Sequence, residues 1–112
     1  MAVVTADIVE SKLRQWQTGV MSAAEVHDWA EKTFAVDSWE PESDAVNEVL
    51  AELDMLDMNL VTPDDIPALV AALRAKNFEA LLSEYFSRID FELRKSQLSA
   101  VPLYAPFCES KT

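Results

Sequence analysis

The sequence predicts an all-α protein: a compact bundle of about five helices with a partly apolar, non-helical C-terminal tail. Three observations lead there. Apolar residues recur with a helical period in segment after segment, and no alternating strand pattern of useful length interrupts them. Glycine occurs once in 112 residues, too rarely for the tight turns of a barrel or sandwich. Apolar residues make up 50% of the chain and charged residues 26%. That balance fits one globular domain over residues 1–112, large enough to bury a core without staples.

The first helix is predicted from about Asp7 to Thr18. Asp7 and Glu10 have capping-box spacing, and Val9, Leu13 and Trp16 form one apolar stripe. Gly19 suits the residue after the last turn, where positive φ ends a helix. The second helix carries the clearest start signal. Ser22-Ala23-Ala24-Glu25 is a capping box, with Met21 and Val26 placed as a hydrophobic staple. Its core face is Val26, Trp29, Ala30 and Phe34. The connection AVDSWEPE (35–42) is polar apart from Trp39.

The third helix is predicted over 42–58, with Val46, Val49, Leu50, Leu53 and Leu56 inward. At about 100° per residue, Asp44, Glu48, Glu52, Met55 and Met58 take the opposite side. Asp57 falls in the apolar arc, which places the fraying of the helix there. In VTPDDIPAL, Thr62 to Asp65 has capping-box spacing with Pro63 at the first helical position. A short turn over 63–66 then leads to a fourth helix from Pro67 to about Lys76, with Asp64 and Asp65 at its N-terminus. A fifth helix is predicted over 78–96, with Phe78, Leu81, Leu82, Tyr85, Phe86, Ile89 and Leu93 inward and Arg94 and Lys95 in its last turn. Pro102 and Pro106 keep the tail from being helical throughout, while Leu98, Val101, Leu103, Tyr104 and Phe107 make it a cover for the bundle. The expected core centres on Trp16, Trp29, Leu50, Leu53, Leu73, Leu82, Phe86 and Ile89.

Enzyme chemistry has little to work with. His27 is the only histidine and Cys108 the only cysteine. No nucleophile elbow, calcium loop, Glu-x-x-His pair or Gly-rich phosphate loop is present. The expectation is a protein that is not an enzyme and uses no catalytic residue, metal or cofactor. His27 reads as a surface or boundary side chain on the second helix. The opening residues show no basic segment followed by an apolar one, and no run approaches a membrane span. With the lone thiol, these features predict a cytoplasmic protein.

Charge is the informative feature. The net charge is −11, which disfavours nucleic acid and anionic membranes as partners. Residues 33–73 carry ten acids and no Lys or Arg. Asp44, Glu48 and Glu52 stand at successive i,i+4 positions, where like charges repel by about 0.2–0.5 kcal/mol per pair. A solvated face that keeps the protein soluble is one reading. A surface for a basic protein partner is the other, with Met55 and Met58 as adaptable apolar contacts and Trp39 as a hot spot. On that reading the partner-binding residues are Asp37, Trp39, Glu40, Asp44, Glu48, Glu52, Met55 and Met58. Trp39 folded back on the core, and the methionines packed rather than exposed, are the competing placements. Basic protein surfaces are most often built for nucleic acid, so a nuclease blocked by mimicry of phosphate charge is the physical inference.

The stretch LRQWQTGVMSAAEVHDWAEKTF (13–34) resembles the short helix, Gly, Ser-capped helix opening of some small acidic all-α bacterial immunity proteins, which neutralise colicin-type or contact-dependent-inhibition toxins. Size and charge are similar as well. The resemblance implies a cytosolic antidote to a toxin, often a nuclease; a monomer or weak dimer is expected. It assigns no residue roles. The alternative is a helical adaptor or self-associating module, for which the apolar tail would be the docking segment.

Overall fold

A computed structural model describes residues 2–36 and 38–108. The chain is mostly helical. Among the described residues the order is β1 (Ala2–Val4), α1 (Ala6–Gln17), α2 (Ala23–Ala35), β2 (Trp39–Pro41), α3 (Asp44–Asp54), a 3-10 turn (Pro63–Asp65), α4 (Ile66–Ala72), α5 (Phe78–Ser87), α6 (Phe91–Leu98) and α7 (Ala105–Cys108). Seven α-helices therefore stand where about five are expected. None of them is long and apolar enough to cross a membrane.

The helix starts follow side-chain chemistry. At α2 the capping box forms as predicted: Glu25 N–H donates to Ser22 Oγ at 3.1 Å, and Ser22 N–H donates to the Glu25 carboxylate at 3.0 Å. At α1 the cap is Thr5, whose hydroxyl accepts the Ile8 N–H at 3.1 Å. Asp7 and Glu10, expected to form that cap, pair with Arg74 instead. Gly19 takes φ +84° and ends α1 as anticipated. Ser43 caps α3 by accepting from Val46 N–H at 3.2 Å.

Three local patterns mislead the sequence reading. The first is a two-stranded parallel sheet, β1 beside β2, in the register Ala2↔Trp39, Val3↔Glu40 and Val4↔Pro41. Each strand is three residues long, too short for alternation to show, and β2 contains a proline. Glu42 finishes this edge. Its N–H donates to Val4 O at 2.9 Å, and its carboxylate accepts the Ala6 N–H at 3.1 Å, one of the free donors at the start of α1. The second is α3, which ends at Asp54 rather than at 58. The chain then reverses through Leu60, a non-glycine residue at φ +55°. That conformation costs on the order of 1–3 kcal/mol and persists only where the surroundings hold it.

The third is the expected 78–96 helix, which divides at residues 88–90. Asp90 accepts the Leu93 N–H at 3.0 Å and starts a new helix there. The break turns the faces over. Leu93, expected inward, is 54% exposed, and Arg94, expected in the last turn of the long helix, sits in the first turns of α6 with a side chain only 11% exposed. The tail includes α7, where a non-helical tail is expected, while Tyr104 is buried and Leu98 and Leu103 pack against the core as a cover for the bundle.

One apolar cluster runs through the molecule. Trp16, Leu50, Leu53, Leu73 and Leu82 are buried in it as expected, with Val9, Leu13, Val26, Val46, Val49, Leu56, Ile66 and Leu69. Trp29 and Phe86 only half-pack against the cluster, and Ile89 is half-buried, so these three lie at its margin.

Beside the cluster lies a buried polar network. Asp65 is wholly buried. It receives Arg94 Nη1 at 2.9 Å and Arg94 Nη2 at 3.1 Å, the Tyr85 hydroxyl at 2.5 Å, and the Thr62 N–H at 2.9 Å. Arg94 Nη1 also donates to Leu60 O at 3.1 Å, which holds the left-handed residue in place. The Tyr104 hydroxyl donates to Val61 O at 2.5 Å from the other side. Thr62 Oγ1 is buried with no protein partner.

Removing one member of a buried ion pair strands the other charge, at a cost of about 3–5 kcal/mol. Asp65→Ala is expected to lose that much in urea unfolding, and Asp65→Leu with Arg94→Met to lose less than the single change. Tyr104 gives a pH signature. Burial and the charge of Asp65 push its hydroxyl up to about 12. The unfolded chain therefore releases this proton first, and stability falls as pH rises from about 10 to 12. Tyr104→Phe is expected to cost about 0.5–1.5 kcal/mol at neutral pH and to show a shallower loss across that alkaline window.

Candidate functional site

An open groove of about 650 Å³ lies on the described surface. One wall is α3, which supplies Glu48 and Glu52. The turn after it supplies Met58, Asn59 and Leu60. Across the groove, α5 contributes Glu79, Leu82, Ser83 and Phe86, α6 contributes Phe91 and Lys95, and α7 contributes Phe107. Apolar side chains form the floor, and three carboxylates stand against one ammonium on the rim.

The structure brings three of the eight sequence-predicted contact residues together here: Glu48, Glu52 and Met58. Asp44, at the far end of the ridge, borders a second, smaller hollow that also contains Arg74 and Lys76. The ridge is thus divided, with bases near its first carboxylate. Met55 is exposed at the C-cap of α3, outside the groove lining. Trp39 lies on β2, half-buried, with its ring edge-on to Phe34 at 5.2 Å and 85°. The packed placement is therefore the one this tryptophan takes. Glu40 is exposed on the same strand. Asp37 lies outside the described residues.

Glu52 is the half-buried carboxylate of the groove. Its Oε2 accepts from Asn59 Nδ2 at 3.4 Å. Burial raises its pKa from the ordinary value and is the largest cause. The Asn59 hydrogen bond opposes the shift, and the nearby charges of Glu48 and Asp65 add to it. The charge of Glu48 acts in the direction that the i,i+4 spacing implies. Among the described residues, Asp44, Glu48, Glu52 and Glu79 make no salt bridge.

Long-range placement hides the other half of the groove from sequence reading. Glu79 and Phe86 come to it on α5, and Phe91 and Lys95 on α6, whose direction is set by the break at residues 88–90 and by the pairing of Arg94 with Asp65. The high aromatic content of 78–107 was visible, but not which aromatics stay accessible.

His27 is half-buried between α2 and the turn after α3, with Nδ1 3.5 Å from Glu31 and Nε2 3.3 Å from Asp57. The inward position of Asp57 is thus explained by a polar partner across the helix gap. No nucleophile accompanies this histidine. Among the described residues, no group of three or more His, Cys, Asp or Glu stands together to hold a metal ion. No family model, curated protein or solved structure matches the chain.

A carboxyl group whose pKa is raised by folding is more stable in its protonated form. Its contribution is favourable at low pH and is lost as pH rises through the folded value. Glu52→Gln is therefore expected to be at least as stable as the parent at pH 7. The difference should close as the parent carboxyl becomes protonated, below about pH 4. Urea unfolding of both proteins at the two pH values checks this, and a less stable variant at pH 7 would show that the Asn59 contact outweighs burial.

Proposed function

We propose that the protein is an acidic inhibitor that binds a basic protein partner, acting as an immunity protein that neutralises a toxin, with a nuclease as the leading class of toxin. The observation that carries this is the groove: Glu48, Glu52 and Glu79 around a floor of Met58, Leu82, Phe86 and Phe91. An apolar centre within a charged rim is the anatomy of a protein interface. The rim is negative, so it speeds encounter with a basic surface and rejects acidic ones. A surface that evolved to meet phosphates would find carboxylates in their place. The resemblance of residues 13–34 to immunity proteins supports the same reading.

A second reading rests on a separate observation. Leu81, Leu93, Val101 and Phe107 leave apolar surface exposed on the C-terminal side. These residues favour a helical adaptor or self-associating module with no toxin. Size-exclusion chromatography with light scattering separates the two readings, since the first requires a free monomer or weak dimer.

The decisive test is Glu48→Lys with Glu52→Lys, measured against a basic partner protein captured with the parent chain, at two salt concentrations. Association is expected to slow roughly tenfold or more, and its salt dependence to flatten or invert. The free variant should remain as stable as the parent, because the lysine at position 48 attracts Asp44. Equal affinity of parent and variant would leave the ridge as a solvated face.

A further inference from the structure

We propose that the groove takes one amphipathic, basic α-helix of the partner, with apolar side chains on the floor and Lys or Arg against the rim. The proposal rests on the reading that the partner is basic, and adds the form in which it is recognised. A volume of about 650 Å³ is in the range of whole-ligand sites, roughly 300–1,000 Å³, so several side chains can enter together. The floor is accessible: Met58 is 53% exposed, and Phe107 at the far wall is exposed too.

The walls decide between a helical and an extended occupant. All the secondary structure around the groove is helical, from α3, α5, α6 and α7. Helices satisfy their own backbone groups and offer no strand edge. An extended segment lying there would leave its own N–H and C=O groups unpaired against aromatic side chains, which is costly. A helix brings its backbone bonds with it, and helix-in-groove recognition uses anchors at i, i+3, i+4 and i+7. Glu48 and Glu52 are separated by about 6 Å along the axis of α3, and Lys or Arg residues four apart on a second helix repeat that rise. Glu79 on the facing wall meets a third cation. Lys95 is the single positive group on the rim, so charge complementarity still favours a basic ligand.

The test uses a fluorescein-labelled peptide of Leu and Lys patterned to form an amphipathic helix, and its scrambled isomer of identical composition and charge. Both are titrated with the full chain by fluorescence anisotropy. The patterned peptide is expected to bind roughly tenfold more tightly than the scrambled one and to gain helical circular dichroism on binding. Met58→Asp, an exposed substitution whose melting temperature should match the parent, is expected to add a charge to the rim and still weaken the patterned peptide, because it removes an apolar anchor. Glu48→Gln with Glu52→Gln is expected to weaken it at low salt and to change little at high salt. Equal binding of both peptides would overturn the helical occupant while leaving a basic partner in place. Binding of neither peptide, or undiminished binding by Met58→Asp, would overturn it as well. Failure of the parent chain to capture any basic protein would instead remove the reading of function on which this one stands.

Discussion

The ion pair between Asp65 and Arg94 organises the C-terminal half of the molecule. A carboxylate with no exposure cannot remain charged without partners, and Asp65 has four donors: two guanidinium nitrogens, the Tyr85 hydroxyl and the Thr62 N–H. Those donors come from α6, from α5 and from the 3-10 turn. The same guanidinium holds Leu60 O, and so fixes the reversal after α3. Moving Arg94 would release the direction of α6, the left-handed turn and the side of the groove formed by Phe91 and Lys95. A buried pair contributes little net stability compared with apolar packing of the same volume. Its value here is geometric, since it sets which way a helix with no fully buried residue lies.

The N-terminal half was the more legible in the sequence. Ser22 and Glu25 form their reciprocal cap, Gly19 takes positive φ, and the stripes of α1 and α3 are buried where the period of 3.6 puts them. These are local devices, complete within a few residues. Legibility fails where distant residues decide. The helix over 78–96 looks continuous because Ile89 and Leu93 keep the period, yet Asp90 caps a new start and Asp65, 29 residues from Arg94, rewards the turned face. Of the candidate site, the Glu48–Glu52 pair and Met58 could be read from one helix. Glu79 and the aromatic floor belong to other elements and carry no local mark. Trp39 looked stranded in a loop because the strand that carries it is too short to recognise, and its ring partner, Phe34, sits on α2.

The acidity of residues 33–73 also changes meaning once folded. Counted along the chain, ten acids face no base. In space, Asp65 is consumed by Arg94, Glu42 serves the first turn of α1, Asp57 faces His27, and Asp44 shares a hollow with Arg74 and Lys76. What remains without a salt bridge around the groove is a smaller set, Glu48 and Glu52, joined by Glu79 from outside the acidic stretch. The charge that bears on a partner is thus not the charge of a segment but that of a short rim assembled from two helices.

Tyr104 has a role beyond its own hydrogen bond. Neither α6 nor α7 buries a residue fully: residues 91–108 rest on the core through the partly buried Phe91, Leu98, Leu103 and Cys108, and are pinned by the polar contacts of Arg94 and Tyr104. A segment with so little fully buried surface is expected to open as a unit at less free energy than global unfolding, a cost that amide exchange along it would report. Each opening carries Phe91, Lys95 and Phe107 away together, and the groove ceases to exist as a concave surface. Any ligand seated there binds only the closed form and so tightens the clasp by mass action. Occupancy of the groove and the protection of amides some distance from it, beneath Tyr104, are therefore one equilibrium seen from two ends.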